Sequence, residues 1–194
     1  MKTKLAPSVL AGTALAFSGA AAPRAQGPVQ SIQEIMDTVV DPSADSLWEV
    51  AGTVVEHGKT QVRQPRTDKD WKAARTLALS LIDGAKRLQT PRPVGSNGHW
   101  ALADALTPGI RSAVQIQADI AADPARFYKA AARLQKTSQD ALAALDARNI
   151  PAFLDAGARI DAACEACHAA YWYPRRAPGH LAGPDIFAKT ALRP

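Results

Sequence analysis

The chain has 194 residues and a formal charge of +5, with 47% apolar residues but only 6% aromatic ones. One domain with its own core is expected at that length, and alanine carries much of the apolar share, which favours helix over sheet. No GxGxxG, Walker, HExxH or GxSxG motif is present, and the two cysteines are too few for a disulfide scaffold or a four-thiolate zinc site.

Lys2 and Lys4 precede an apolar stretch over residues 5–22 that ends in small residues, the pattern of a secretory signal peptide. Pro7, Gly12, Ser18 and Gly19 dilute that stretch as a permanent membrane span. Residues 1–25 therefore read as a leader cut near Ala21. The mature chain is then periplasmic, with no stable membrane span after processing. Losing Lys2 and Lys4 lowers the charge from +5 to +3. That charge, with basic residues not clustered among aromatics, argues against nucleic-acid binding.

Ile32, Ile35, Met36 and Val39 recur at helical spacing and predict a first helix from Gln30. Asp41-Pro42 starts a second piece of it through Leu47, Trp48, Ala51, Val54 and Val55, ending near His57-Gly58, with 59–66 as a polar loop. Thr67 or Asp68 caps the next helix, whose inner face is Trp71, Ala74, Leu77, Leu81, Ala85 and Leu88; it stops near Thr90 because Pro91 and Pro93 follow. Residues 91–98 read as a loop. Short helical pieces are expected over 100–106 and 110–121, broken at Thr107-Pro108-Gly109. Asp123-Pro124 opens a helix with the stripe Phe127, Ala131, Leu134, Ser138, Ala141 and Leu145. Asn149-Ile150-Pro151 opens the last one, with Phe153, Gly157, Ile160, Cys164, Cys167, His168 and Tyr171 on its stripe and Pro174 closing it. Residues 175–194 read as an irregular tail. With no period-2 segment, the predicted fold is all-α. It is an antiparallel four-helix bundle over 28–174, with short extra helical pieces between the second and third main helices.

Cys164-Glu165-Ala166-Cys167-His168 is C-x-x-C-H, the attachment signature of c-type haem. On a helix, residues three apart face the same side, so both sulfurs reach one porphyrin edge, and His168 brings an imidazole to the iron. A thiol–disulfide site needs its C-x-x-C at a helix N-terminus after a strand, whereas this pair lies late in a helix. A zinc site needs further ligands, and Cys167 and His168 are adjacent. Two core cysteines beside a satisfied histidine are the plain structural reading. One covalent haem c is expected, with Cys164 and Cys167 as its attachment points and His168 as the axial iron ligand.

A leader, an all-helical domain and C-x-x-C-H in the last helix together resemble the class II c-type cytochromes, which include the cytochromes c′ and the low-spin cytochrome c556 type. The run from Met36 through Asp41-Pro42 to Trp48 is similar to the first-helix region of that class. The resemblance spans roughly residues 30–174. It implies a four-helix bundle with haem between the helices, and Met36 at the position of the sixth iron ligand in low-spin members. Met36 is the one methionine besides Met1, on the face shared with Ile32 and Val39; a lone Met on such a stripe otherwise fills core space. A thioether paired with His raises the reduction potential.

His57, His99 and His180 each adjoin glycine and read as surface-loop residues. Trp48, Trp71, Trp100 and Trp172 read as core, Arg175 and Arg176 as a solvated pair, and Asp161 and Glu165 as an exposed face. The expected function is one-electron transfer between transient redox partner proteins, without enzymatic activity, since no distal acid–base pair is identifiable. The alternative is a cytochrome c′-like protein with five-coordinate haem that binds NO or CO. The resemblance also implies a homodimer through the first two helices.

Overall fold

A computed structural model describes residues 29–95, 102 and 105–173. The expected leader (1–25) and the expected irregular tail (175–194, with Arg175, Arg176 and His180) lie outside the described residues, as do His99, Trp100 and Pro174.

The first helical stretch has three parts: α1 (Ile32–Ile35), a π-helical turn (Met36–Val40) and α2 (Asp41–Trp48). Ser31 opens it with a reciprocal cap, its Oγ accepting from the Glu34 N–H at 3.0 Å while the Glu34 carboxylate accepts from the Ser31 N–H at 2.7 Å. The Ile32 and Gln33 amides donate to the carbonyls of Pro93 and Val94 at 2.9 and 3.1 Å, so the proline loop seals the helix start. Asp41-Pro42 does begin a new α-helical segment, but without a break. Pro42 has no N–H to offer, and just before it the chain widens so that the Asp41 amide donates five residues back, to Met36.

The expectation of an all-α chain, with helix through Val54 and Val55 and a loop over 59–66, is corrected here. Beyond Glu49-Val50 the chain forms an antiparallel hairpin, β1 (Gly52–Glu56) and β2 (Lys59–Arg63), with Thr53 opposite Val62 and Val55 opposite Thr60. Two features drive it. Thr53, Val54, Val55, Thr60 and Val62 are β-branched. His57 and Gly58 both take positive φ, 51° and 74°, the two-residue turn whose twist suits a hairpin. An ion pair between Arg63 and Glu49 ties the hairpin to the end of α2.

The remaining elements are helical. Thr67 caps α3 (Asp68–Arg87), with Asp70 completing the reciprocal pair. Ser112 caps α4 (Ala113–Ala122), which realises the second of the two expected short pieces; the described part of the first, at 102, 105 and 106, is not helical. Asp123 caps α5 (Pro124–Asp146) and Asn149 caps α6 (Ile150–Tyr171), each with proline in the first turn as expected.

α5 packs against both α3 and α6, and the first helical stretch lies on α3. The expected inner faces supply the core: Ala74, Leu81 and Ala85 of α3 and Leu88 just past it, with Phe127, Ala131, Leu134, Ala141 and Leu145 of α5, are buried. Fully burying Ile35 or Leu81 contributes roughly 1.5–3 kcal/mol each. Ser138, on the same stripe, satisfies its hydroxyl by donating to the Leu134 carbonyl at 2.8 Å. Of the tryptophans expected in the core, Trp71 is half-buried beneath the Arg148 guanidinium, whereas Trp48 is exposed on α2. The helical remainder therefore carries one small sheet, and no helix among the described residues is long and apolar enough to cross a membrane.

The C-terminal end of α6 is pinned from the side. Arg111 donates from its backbone to the Trp172 carbonyl at 3.0 Å, and from Nη1 to the Tyr171 carbonyl at 3.1 Å and to Asp119 at 2.6 Å. Those contacts fix the turn that follows His168.

Candidate functional site

Cys164, Cys167 and His168 occupy the last two turns of α6 and line one cavity of about 360 Å³. Met36 lines the same cavity from the π turn of the first helical stretch. Residues far apart in the chain thus meet at one hollow because α6 and the first stretch both close onto the end of the fold where α5 begins. Ile32, Leu88, Leu102, Phe127, Ala131 and Leu134 supply apolar walls. A largely apolar hollow with a few convergent polar groups is the usual form of a cofactor site.

Both cysteines are free thiols, half-buried. Burial pushes the Cys164 thiol up to about 12, helped by the nearby Asp41 carboxylate, and the Cys167 thiol up to about 11. A thiol–disulfide catalyst needs the opposite shift, toward thiolate at neutral pH. Among the described residues no group of three or more His, Cys, Asp or Glu side chains gathers to hold a metal ion, so the zinc alternative finds no ligand set there.

The thiol shifts carry a pH dependence whose sign follows from linkage. Unfolded, the thiols ionise near 9.0; folded, only near 12 and 11. The contribution is fully present below the unfolded value, and it is lost as pH rises from there through the folded values. The haem-free chain is expected to weaken between about pH 8 and about pH 10, and C164S/C167S to weaken less. Urea midpoints of the two proteins at both pH values check this; equal slopes would show that thiol burial contributes nothing.

His168 is half-buried, its ring 6.3 Å from that of Trp172 and 6.0 Å from that of Tyr173, and both aromatic residues line the cavity. Its carbonyl accepts from the Trp172 and Tyr173 amides at 2.8 and 3.0 Å, which ends α6 immediately after the motif. Asp41 lines the cavity too. Desolvation raises its carboxyl pKa, and the His168 imidazole opposes that shift.

Three polar lining residues escape a reading of the sequence alone: Gln33, Asp37 and Asp41. Gln33 stands three residues before Met36, and that spacing is the signal that could have placed it on the same face. Its Oε1 is buried without a hydrogen-bond partner, a polar group inside the hollow that a bound molecule could satisfy. Asp161 and Glu165 are exposed as expected, and His57 sits exposed in the hairpin turn, away from the cavity lining.

The residues present fit a haem c. Two thiols three residues apart and an imidazole share one apolar cavity, and a thioether and an unsatisfied amide line it as well. Comparison with protein-family models, with curated proteins and with solved structures finds no match to this chain.

Proposed function

We propose that this chain is an exported, periplasmic c-type cytochrome, an electron carrier and not an enzyme, in which four main helices form a bundle around one covalent haem c. The observation that carries the reading is the meeting of Met36 with Cys164, Cys167 and His168 at one apolar cavity. Cys164 and Cys167 would hold the group by thioether bonds, His168 would bind its iron, and Met36 would bind the iron as sixth ligand. When bound, haem c supplies a one-electron ferric–ferrous couple, with a potential that the His/Met pair raises.

The chain's own residues set the conditions for such a carrier. The apolar walls would lower the polarity around a bound group. The Arg111 contacts and the turn after His168 hold the imidazole-bearing end of α6 in place, and the π turn sets where Met36 stands. π turns inside helices are frequent at functional sites. With both His168 and Met36 engaged on the group, the chain would leave it no open position for a substrate.

Full-length protein made in a host competent for cytochrome maturation tests the reading. The expected material is red, keeps its haem on a denaturing gel and is low-spin when ferric. Failure to retain haem on the gel would overturn the assignment. A high-spin ferric form that takes up CO or NO readily would replace the carrier with the five-coordinate gas-binding protein.

A further inference from the structure

A second hollow, a half-open groove of about 560 Å³, runs along the outside of the α5–α6 contact. α6 contributes only small or uncharged residues to it, among them Ala163, Ala166 and Ala170. α5 contributes three cations, Arg126, Lys129 and Arg133, at spacings of three and four that set them on one face of the helix. All three are exposed, and none forms an ion pair among the described residues. Asp123, at the start of α5, is engaged as that helix's cap.

The groove and the cavity share a wall. Ala130 and Ala163 line both, so a single layer of alanine side chains divides them at that point. An aromatic pair spans the same wall: Tyr171 lines the groove, Phe127 lines the cavity, and their rings meet edge-on at 5.4 Å. The Arg126 guanidinium lies 5.9 Å over the Tyr171 ring, which holds one of the cations against this wall. Three cations of α5 thus stand beside the alanine wall that the groove shares with the cavity.

We infer that this α5–α6 groove is the docking surface for an acidic redox partner protein, which exchanges electrons through the wall of Ala130 and Ala163. The inference rests on the proposed haem and adds the place and the charge of the partner. Complementary charge concentrates an acidic partner here and orients it, and a floor of alanines lets its surface approach closely. The mature chain's small net charge would do little of this unaided; the local patch does it. A membrane surface suits the groove less well. Insertion into lipid wants bulky apolar side chains beside the cations, and the exposed groove positions hold alanine.

The test uses haem-loaded, full-length protein and an acidic soluble cytochrome b5 domain as probe, with stopped-flow electron-transfer rates at low salt and near 0.15 M, where the Debye length is about 8 Å. The wild-type rate is expected to be fast at low salt and to fall steeply with added salt. R126E/K129E/R133E is expected to slow the low-salt rate about tenfold or more and to remove most of the salt dependence. K69E/K72E/K86E makes the same change in net charge on exposed positions of α3 and is expected to keep most of the wild-type rate. Equal slowing by the two triple variants would overturn the groove assignment, and so would binding of the protein to phosphatidylglycerol vesicles, but not to cytochrome b5, through these residues. Haem content, read on a denaturing gel for every sample, separates the two levels. Protein without haem sinks the cytochrome reading and the groove with it, whereas haem-loaded protein indifferent to the groove charges sinks the groove alone.

Discussion

In the cytochrome proposed above, Met36→Ala is expected to leave haem attachment intact and to remove one of the two side chains that would bind the iron. The ferric protein should pass from low spin to high spin, the methionine–iron charge-transfer band in the far red should vanish, and the ferrous form should take up carbon monoxide readily. Met36 is the one methionine besides Met1, so no other thioether between residues 2 and 194 can take its place at the cavity. In the proposed cytochrome, attachment would depend on Cys164 and Cys167, which the substitution does not touch. Some stability is lost as well, because Met36 packs half-buried against the core; about 1–2 kcal/mol is reasonable for a partly buried side chain cut to Ala. Met36→Leu separates the two effects. It keeps the volume, so stability should change by less than about 1.5 kcal/mol, yet it lacks sulfur and should give the same high-spin spectrum. Unchanged spectra in both variants would show that another group holds the sixth position.

Helix starts were the part of this fold most plainly written in the residues. Thr67, Asp123 and Asn149 all cap where a polar residue precedes a helical stripe, two of them with proline just inside the helix, because orphan amides at a helix start need a side-chain acceptor. The inner stripes of α3 and α5 were equally plain, since three- and four-residue spacing has one geometric meaning over twenty residues. The hairpin was harder. Leu47, Trp48, Ala51, Val54 and Val55 also fit a helical period, and a short apolar run cannot by itself distinguish the two; the β-branched residues and His57-Gly58 decide it. The π turn leaves still less trace. Ile32, Ile35, Met36 and Val39 read as one helix face whichever carbonyl Asp41 donates to, and only the proline after Asp41 hints at the widening.

The site divides in the same way. Cys164, Cys167 and His168 are local, so spacing places them on one face of α6. Their meeting with Met36 is a long-range fact, expected from resemblance and found at the cavity. Gln33, Asp37 and Asp41 needed the cavity itself, because a polar residue beside a helix stripe reads as solvated until the opposing wall is known. The cationic groove is similar. Arg126, Lys129 and Arg133 are an ordinary exposed face in sequence, and their meaning comes from the alanines shared with the cavity behind them.

Gly84→Val is expected to reduce stability by about 3 kcal/mol and to disturb Met36 without touching it. Gly84 lies in α3 against the π turn. A Cβ there would stand 2.8 Å from Val40 Cγ2 and 3.1 Å from Val39 Cγ1, distances that force the neighbours to shift. Val40 is fully buried and short, so it cannot swing clear. The natural glycine costs helix propensity, on the order of 0.5–1 kcal/mol, and the close approach of the π turn is what it permits in return. Gly84→Ala regains that propensity but still meets the contact, so it should be milder than Val by about 1 kcal/mol. Adding Val40→Ala should make room, and the double variant G84A/V40A should be at least about 1 kcal/mol more stable than the two single losses add up to. Urea unfolding of the four proteins measures that coupling. The π turn carries Met36 four residues before Val40, so a wedge at Gly84 should also weaken the far-red methionine band while the haem stays attached, and V40A should restore it in the Ala variant. Strict additivity, with the band intact in every variant, would mean that α3 does not set the position of Met36.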